Sequence, residues 1–446
     1  MEYLSRILSY VTSTMNFKHH PLCSPMKLNH LMFADDLLLF SKGDITSIMI
    51  LLRGFATFSA ATGLHMNTQK SNIYFNGVTQ SVREDILKIS GFIEGSIPLK
   101  YLGVPISAGK LAVKHYTVLI EKVIHRIRAF GAKKLSYAGR LILVNSVLTS
   151  LYSYWAAIFI IPKCVLRKID SICRNYLWDG SSKYLRTPKV SWEKVCSPKS
   201  EGGLGITDSL SWNHAAIGKL VWWIYTKPDS LWVKWVNNIY IKGTPWDQYT
   251  PKSDTSWYWG IICKVKEKYS TGYSNGQWLA QPTGYTMSSG YHWIRKKQPQ
   301  VPWHFYIWNS WCLPKHQFIN WFIVREALML KDKLFSFGIS PDSLCLLCGT
   351  ATETHQHVFQ HCQYTQLLLT RLETKMHMNL PQTNILHWIH SKPWSKTRNK
   401  VTNALIQALY YAVWLQRNRV RMEHSLVRPE IVLIQVSLAG QLAAGH

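Results

Sequence analysis

Three cysteines crowd into residues 345–362, and their spacing constrains this chain more than any other feature. Cys345 and Cys348 are separated by two residues, His355, His357 and His361 follow, and Cys362 closes the stretch. With His357 the pattern reads C-x2-C-x8-H-x4-C. A C-x-x-C turn followed by Gly349 lets two thiolates face one ion. A histidine and a cysteine from the next element then complete a tetrahedral Cys3His set of the kind that holds zinc. Spacing alone leaves the nitrogen ligand open among the three histidines. Four protein ligands leave no open position, so such a site is structural, and losing any ligand should unfold the domain around it. The other six cysteines (Cys23, Cys164, Cys173, Cys196, Cys263 and Cys312) are scattered and read as ordinary buried thiols. One cluster among scattered thiols is not the disulfide framework of a secreted protein. It fits a reducing compartment, so an intracellular chain, nuclear or cytoplasmic, is expected.

Charge narrows the partners. The 446 residues include 51 Lys and Arg against 24 Asp and Glu, a net charge of +27. A surface that basic attracts polyanions, above all RNA and DNA. An anionic membrane surface is the runner-up, but no basic amphipathic block stands out. The N-terminus, MEYLSRILSYVTSTMNFKHH, has no long apolar core of a signal peptide. The most apolar stretch, Val147–Pro162, is shorter than the roughly 20 residues of a spanning helix and reads as a core helix. No membrane partner is expected, and no small-molecule substrate beyond deoxynucleoside triphosphates.

Along the chain, two apolar runs, Leu31–Ala34 and Leu37–Phe40, flank Asp35 and Asp36. They read as a buried hairpin with two acids at its tip. Asp44 can cap a helix whose apolar positions are Ile45, Ile48, Met49, Leu52, Phe55 and Ala56, with Gly63 as its stop. GLHMNTQKSNIYFNG reads as a turn and a short strand, and IPLKYLGVPI as a pair of strands bounded by proline. From Ala112 to about Trp178 the pattern is mainly helical, interrupted at Gly139 and Pro162. A turn-rich piece, VSWEKVCSPKSEGGLGITD, precedes a helix over about Ser209–Tyr225. Irregular structure then runs to a linker at Pro299–Pro302, and a last helix covers about Arg398–Glu423. The 20 tryptophans, Trp222, Trp223, Trp232, Trp235, Trp257 and Trp259 among them, can stack on bases but read more readily as core.

The acidic pair carries the second possible chemistry. Two-metal polymerases need carboxylates that hold two divalent cations about 4 Å apart. Adjacent acids at the tip of a rigid hairpin suit hard Mg²⁺ ions. Here apolar residues wrap the pair, and no turn-forming Gly or Asn lies beside it, unlike a plain solvated turn.

Phe33-Ala34-Asp35-Asp36 resembles the F/Y-x-D-D motif of reverse transcriptases, in the form common in plant non-LTR (LINE-type) retrotransposons. Three further segments resemble that family in order: Gly63 to Ser71 its G-L-x-x-N-x-x-K-S text, Ile97 to Pro105 its primer-grip region, and Leu135 to Arg140 the L-S-x-A-G-R opening its thumb-like helices. The resemblance implies that Asp35, with Asp36 beside it, binds catalytic Mg²⁺. It puts Lys70 near the incoming triphosphate, where a plain surface lysine is an equally good reading. It has Tyr101, Leu102 and Gly103 position the primer, where a plain hydrophobic hairpin reads as well, and it gives Arg140 to nucleic-acid contact. Farther on, Trp308 to Lys315, with Phe318 and Trp321, is similar to the text that opens the plant reverse-transcriptase zinc-binding domain. Glu353 to Phe359 resembles its E-T-x-x-H-L-F segment, with Val358 in place of Leu. That match selects His357 as the nitrogen ligand beside Cys345, Cys348 and Cys362. Lys315, Arg325, Lys331 and Lys333 would then help the module contact nucleic acid. Trp414, Arg417 and Asn418 resemble a closing W-x-x-R-N segment to which the sequence gives no mechanism. No ribonuclease H or endonuclease constellation is visible.

One departure matters. The family supplies a further metal-binding Asp from a strand well upstream, and here the only carboxylate before Asp35 is Glu2. Mg²⁺ held by two adjacent carboxylates is under-ligated. The expectation is a chain with an incomplete Mg²⁺ site, an incomplete palm sheet and little or no polymerase activity by itself. The expected class is α+β: a truncated reverse-transcriptase palm (1–110), a thumb-like helical region (111–180), a Trp-rich connection (181–300), a small, mostly helical zinc-binding domain (301–375) and a helical tail (376–446).

Overall fold

A computed structural model describes residues 2–14, 16–107, 109–130, 135–180, 189–274, 284–377 and 396–444. Residues 1, 15 and 108 of the expected palm, 131–134 of the expected thumb-like region, 181–188 and 275–283 of the expected connection, and 378–395 and 445–446 of the expected tail lie outside the described residues. The described chain is mostly helical, with three two-stranded sheets, so its content is α+β. It forms two compact units. The first combines Met1–Thr117, Trp155–Ile161 and Asn213–Ile294, and the second Val118–Tyr154, Pro162–Trp212 and Arg295–His446.

In the first unit, strands β1 (His30–Phe33) and β2 (Asp36–Leu39) pair antiparallel, with Phe33 opposite Asp36. Ala34 and Asp35 alone make the turn. Side chains alternate across a strand, so Met32, Leu37 and Leu39 share one face. That face packs on a core of Leu4, Leu8, Leu51 and Phe58 from the helices Glu2–Thr14 and Ile45–Thr62. On the other face Phe33 is 60% exposed. The expected buried hairpin is therefore covered on one side: a lone antiparallel pair needs only one packed face.

The helix Ile45–Thr62 begins and ends as its sequence dictates. The Asp44 carboxylate accepts a hydrogen bond from the Ser47 amide at 3.0 Å, and Gly63 closes the helix at φ 72°. Its buried face is Ser47, Ile50, Leu51, Gly54 and Phe58, rotated from the expected set, and Met49 is exposed. Gly54 explains the rotation. A Cβ there would lie 3.1 Å from Val11 Cγ2, so the missing side chain admits the first helix and fixes which face it meets. Strands β3 (Asn72–Ile73) and β4 (Ile93–Glu94) pair parallel. Strands β5 (Leu99–Tyr101) and β6 (Val104–Ile106) form the second expected hairpin, turning on Leu102 and Gly103 at φ 48° and 80°.

Within the stretch expected to be irregular after the Ser209–Thr226 helix, Leu231–Val236, Trp257–Ser274 and Met287–Ile294 are helices and surround an aromatic core. Tyr240 stacks on Trp259 with ring centroids 4.8 Å apart, and the Tyr285 hydroxyl donates to the Ala215 carbonyl at 2.6 Å. Aromatic residues on several faces of these helices blur the apolar period that reveals an ordinary amphipathic helix. Trp222 and Trp259 are buried and Trp223, Trp232 and Trp235 pack against them, as the core reading requires; Trp257 is exposed.

In the second unit, Gly139 does not interrupt its helix. Its amide donates to the Ser136 hydroxyl at 3.3 Å, which makes Gly139 part of a capped first turn. The helix then runs on through a π turn, Val144–Leu148, so that Tyr137–Ile158 is continuous over 22 residues. By length and composition alone, that helix and Ile45–Thr62 are long and apolar enough to cross a membrane, which corrects the expectation of a stretch too short to do so. Pro162 does separate the next helix, Lys163–Asp179. Cys164, expected to be buried, is exposed near its start, while the other five scattered thiols are buried.

The expected linker before residue 303 is pinned. Arg295 pairs with Glu201 at 2.5 Å, the Gln298 amide donates to the same carboxylate at 2.9 Å, and the Val301 amide donates to the Ser200 carbonyl at 2.9 Å. Glycine is required in this turn: a Cβ on Gly203 would fall 1.8 Å from the Ser197 carbonyl oxygen. The helix Lys396–Glu423 matches its expected span, but it is not the last, since Pro429–Ala444 follows.

Candidate metal centre

The Cys/His cluster assembles as its spacing predicts. The ligand atoms of Cys345, Cys348, His357 and Cys362 all lie within 4.8 Å of one another. Cys345 Sγ is 3.9 Å from Cys362 Sγ, and Cys348 Sγ is 3.2 Å from His357 Nε2. A tetrahedral ion with metal–sulfur bonds of about 2.3 Å has ligand–ligand edges of about 3.8 Å. Three sulfurs and one imidazole nitrogen at this spacing fit zinc, both in size and in donor softness.

Local backbone chemistry explains each ligand's place. Leu344 and Thr352 form an antiparallel bridge, the Cys345 amide donates to the Ala351 carbonyl at 2.8 Å, and Gly349 turns the chain at φ 70°. Within the knuckle the amides of Leu347 and Cys348 donate to Cys345 Sγ. The Thr350 hydroxyl donates to Cys348 Sγ at 3.3 Å. The other two ligands flank a π turn, His357–His361, whose wide bond from the Cys362 amide to the His357 carbonyl, 2.7 Å, brings residues five apart to one site. Cys362 then takes the N-cap position of the helix Gln363–Met376, without a side-chain cap hydrogen bond. The nearby amides of Tyr364 and Thr365 favour the thiolate form of its sulfur. The Cys345 thiol, donating to Cys362, holds the Cys362 thiol below the usual value.

The other two histidines are placed elsewhere. His355 Nε2 accepts a hydrogen bond from the Leu328 amide at 3.1 Å, and burial, helped by the Lys333 charge, pushes its pKa down to about 4. His361 is exposed. Two residues outside the ligand set are as deeply placed as any ligand: Glu353 is 0% and Arg417 1% exposed, and they form an ion pair at 2.6 Å. Sequence reasoning used Glu353 only as motif text and had no role for Arg417. Partners 64 residues apart leave no local signal.

The remaining candidates are dispersed. Asp35 is exposed in the β1–β2 turn and Asp36 exposed at the start of β2. Among the described residues, the Cys/His set is the one group of three or more potential ligands able to hold an ion, so the two aspartates gain no third partner. Lys70 is exposed after a turn in which the Asn67 side chain accepts from its amide at 3.1 Å. Tyr101 and Gly103 lie at the β5–β6 turn. Arg140 Nη1 donates to the Leu177 and Trp178 carbonyls at 3.4 and 3.3 Å, capping the Lys163–Asp179 helix. Arg325 Nε donates to the Gly202 carbonyl at 2.9 Å, with its guanidinium near the Trp303 and Trp321 rings. Lys331 pairs with Asp342, and the Lys333 ammonium donates to the Glu326 carbonyl. Lys315 is exposed, its ammonium 5.5 Å from the Tyr411 ring.

With this geometry in hand, comparison with known proteins is specific. Residues 285–368 match a family described as zinc-binding in reverse transcriptase. The matched segment contains all four cluster residues, and it bears out the resemblance to reverse transcriptases drawn from the sequence. A protein of Arabidopsis thaliana provisionally named as a ribonuclease H protein is 34% identical over 148 residues, 32% of this chain and 24% of that protein. An uncharacterized mitochondrial protein of the same plant is 24% identical over 120 residues, 27% of this chain and 78% of that protein. The match thus spans about a quarter of the first relative's length.

Proposed function

We propose that this chain is part of a plant non-LTR retrotransposon reverse transcriptase, and that its activity as a separate polypeptide is zinc-dependent binding of RNA and DNA, not polymerisation. The observation that carries the proposal is the closed Cys3His cluster inside a segment that matches the reverse-transcriptase zinc-binding family. Cys345, Cys348, His357 and Cys362 would hold the ion. When bound, zinc supplies folding free energy and no chemistry, because four protein ligands leave no position for water or substrate. A charge of +27 supplies long-range attraction to phosphates. Exposed Lys315 is the best placed of the named basic residues. Arg140 and Arg325 hold carbonyls of their own chain and would contact nucleic acid only with what those bonds leave over.

In the parent enzyme Asp35 and Asp36 would carry Mg²⁺, Lys70 would face the triphosphate, and Tyr101 and Gly103 would support the primer. Residues 1–110 would be palm, followed by thumb-like helices, a connection, the zinc module and a tail. Two exposed carboxylates without a third beside them argue against that chemistry in this chain alone. Three cysteines gathered at one metal cluster and six scattered through the sequence would suit an intracellular, nuclear or cytoplasmic setting.

Two assays on zinc-loaded protein test the proposal. Fluorescence anisotropy with a single-stranded RNA should show binding that weakens steeply with salt, the slope counting the phosphates neutralised. Primer extension with Mg²⁺ and all four deoxynucleoside triphosphates should give no product. Extension that vanishes in Asp35→Asn/Asp36→Asn would mean that the chain completes its own Mg²⁺ site. Salt-independent or absent binding would remove the nucleic-acid reading.

A further inference from the structure

The matched zinc-binding segment ends at residue 368, yet the metal centre does not. Glu353 Oε2 accepts the Leu346 amide at 2.9 Å. Leu346 stands between the ligands Cys345 and Cys348. The next two amides of that turn point at Cys345 Sγ, so Glu353 supplies the acceptor for the one that points away. Glu353 Oε1 accepts the Lys331 amide at 2.8 Å and Arg417 Nε and Nη2 at 3.1 and 2.6 Å. Its own amide donates to the Ser343 carbonyl at 2.8 Å, in the segment leading into the knuckle. The carboxylate is thus fixed on three sides and holds the ligand turn with its second oxygen. Arg417 makes this possible, since burying a carboxylate without a cation beside it is costly. The same helix also reaches the other half of the site. Tyr410 packs edge-on against Phe359, which lies between His357 and Cys362, with centroids 5.8 Å apart.

We infer that Glu353 and Arg417 are positioning residues of the metal centre, and that the Lys396–Glu423 helix is a working part of it. Glu353 sets the tilt of the Cys345–Cys348 turn through the Leu346 amide, and Arg417 holds Glu353 in place. The W-x-x-R-N text thereby gains a mechanism: Arg417 is the far end of a buried strut, its guanidinium also 5.4 Å from the Trp414 ring and bonded to Asn418 Oδ1 at 3.3 Å. Residues that orient ligands commonly alter metal affinity 10- to 100-fold when removed. The inference rests on the zinc reading of the four ligands.

The test uses the full chain and compares wild type with Arg417→Met and with the double variant Glu353→Met/Arg417→Met. Zinc affinity is read by competition with a chromophoric chelator, ligand geometry by the thiolate charge-transfer and d–d bands of the cobalt(II) form, and folding by thermal melts. Arg417→Met should weaken zinc about 10- to 100-fold. Removing both charges leaves no uncompensated buried carboxylate, so the double variant should melt above Arg417→Met. It still lacks the acceptor for Leu346, so its zinc affinity should stay low and its cobalt bands shifted. A double variant that recovers both melt and affinity would show that the pair serves packing alone, and the inference would fall. So would an Arg417→Met chain with wild-type affinity and bands. A wild-type chain that takes up neither metal would instead overturn the zinc reading itself.

Discussion

Two sets of candidate ligands among the described residues are built in opposite ways. At the Cys/His cluster the ligands come from a glycine-closed knuckle and a π turn, amides support two of the sulfurs, and a buried ion pair backs the knuckle. At the β1–β2 turn two aspartates stand in solvent on a hairpin covered on one face, with no third ligand among the described residues. The first draws its full ligand set from its own chain; the second would need further partners to organise it. Soft ligands and a full shell favour permanent zinc, whereas a pair of hard carboxylates favours a transient, hydrated Mg²⁺. A metal centre is therefore judged by what surrounds its ligands as much as by the ligands.

This contrast can be broken by experiment. The largest effect should follow Cys345→Ser or Cys362→Ser, or chelation. Zinc contributes about 10–16 kcal/mol to small zinc-folded modules, so amides across residues 328–376 should lose protection in hydrogen exchange. Those in the aromatic core around Trp259 should keep theirs. Uniform loss across both would mean that the centre is not a local folding unit. Next in size is Gly203→Ala, which forces a Cβ onto the Ser197 carbonyl and disturbs the neighbouring Gly202 carbonyl that accepts the Trp321 indole at 2.9 Å. A loss of about 3 kcal/mol is expected in denaturant titration. A neutral result would mean that this turn relaxes freely and does not brace the zinc-binding segment.

The open site should respond weakly and in the other direction. Ala34 sits at φ 50°, a conformation costly to any residue with a Cβ. Ala34→Gly should therefore stabilise the first unit by roughly 0.5–1 kcal/mol, after allowing for the added freedom of the unfolded chain. Destabilisation would mean that the hairpin depends on the alanine methyl. The smallest effect is expected from Asp35→Asn/Asp36→Asn: a shift within about 0.5 kcal/mol, as for other exposed substitutions, with unchanged zinc content. A large shift would reveal a partner to these carboxylates that the exposed turn does not show.

What the sequence made legible follows from how local each signal is. Asp44 and Gly63 bracket their helix because capping is decided within a few residues. The cluster spacing read true for the same reason, and motif text chose His357 over its two neighbours. The face of the Ile45–Thr62 helix was missed because Gly54, a residue without a side chain, decides it through Val11. The helices between Leu231 and Ile294 were missed because their aromatic residues show no single apolar stripe. Arg417 was missed as part of the centre because its partner is remote in sequence and buried charge has no local signature. Sequence gives ligands and caps readily; it gives supporting residues only when they are neighbours in the chain.

Native mass spectrometry of the purified chain, equilibrated with both zinc and Mg²⁺, tests the central contrast most directly. One zinc per chain, no retained Mg²⁺, and loss of that zinc in Cys345→Ser but not in Asp35→Asn/Asp36→Asn is the predicted result. A chain that retains no zinc, or that keeps it equally in Cys345→Ser, would contradict the account.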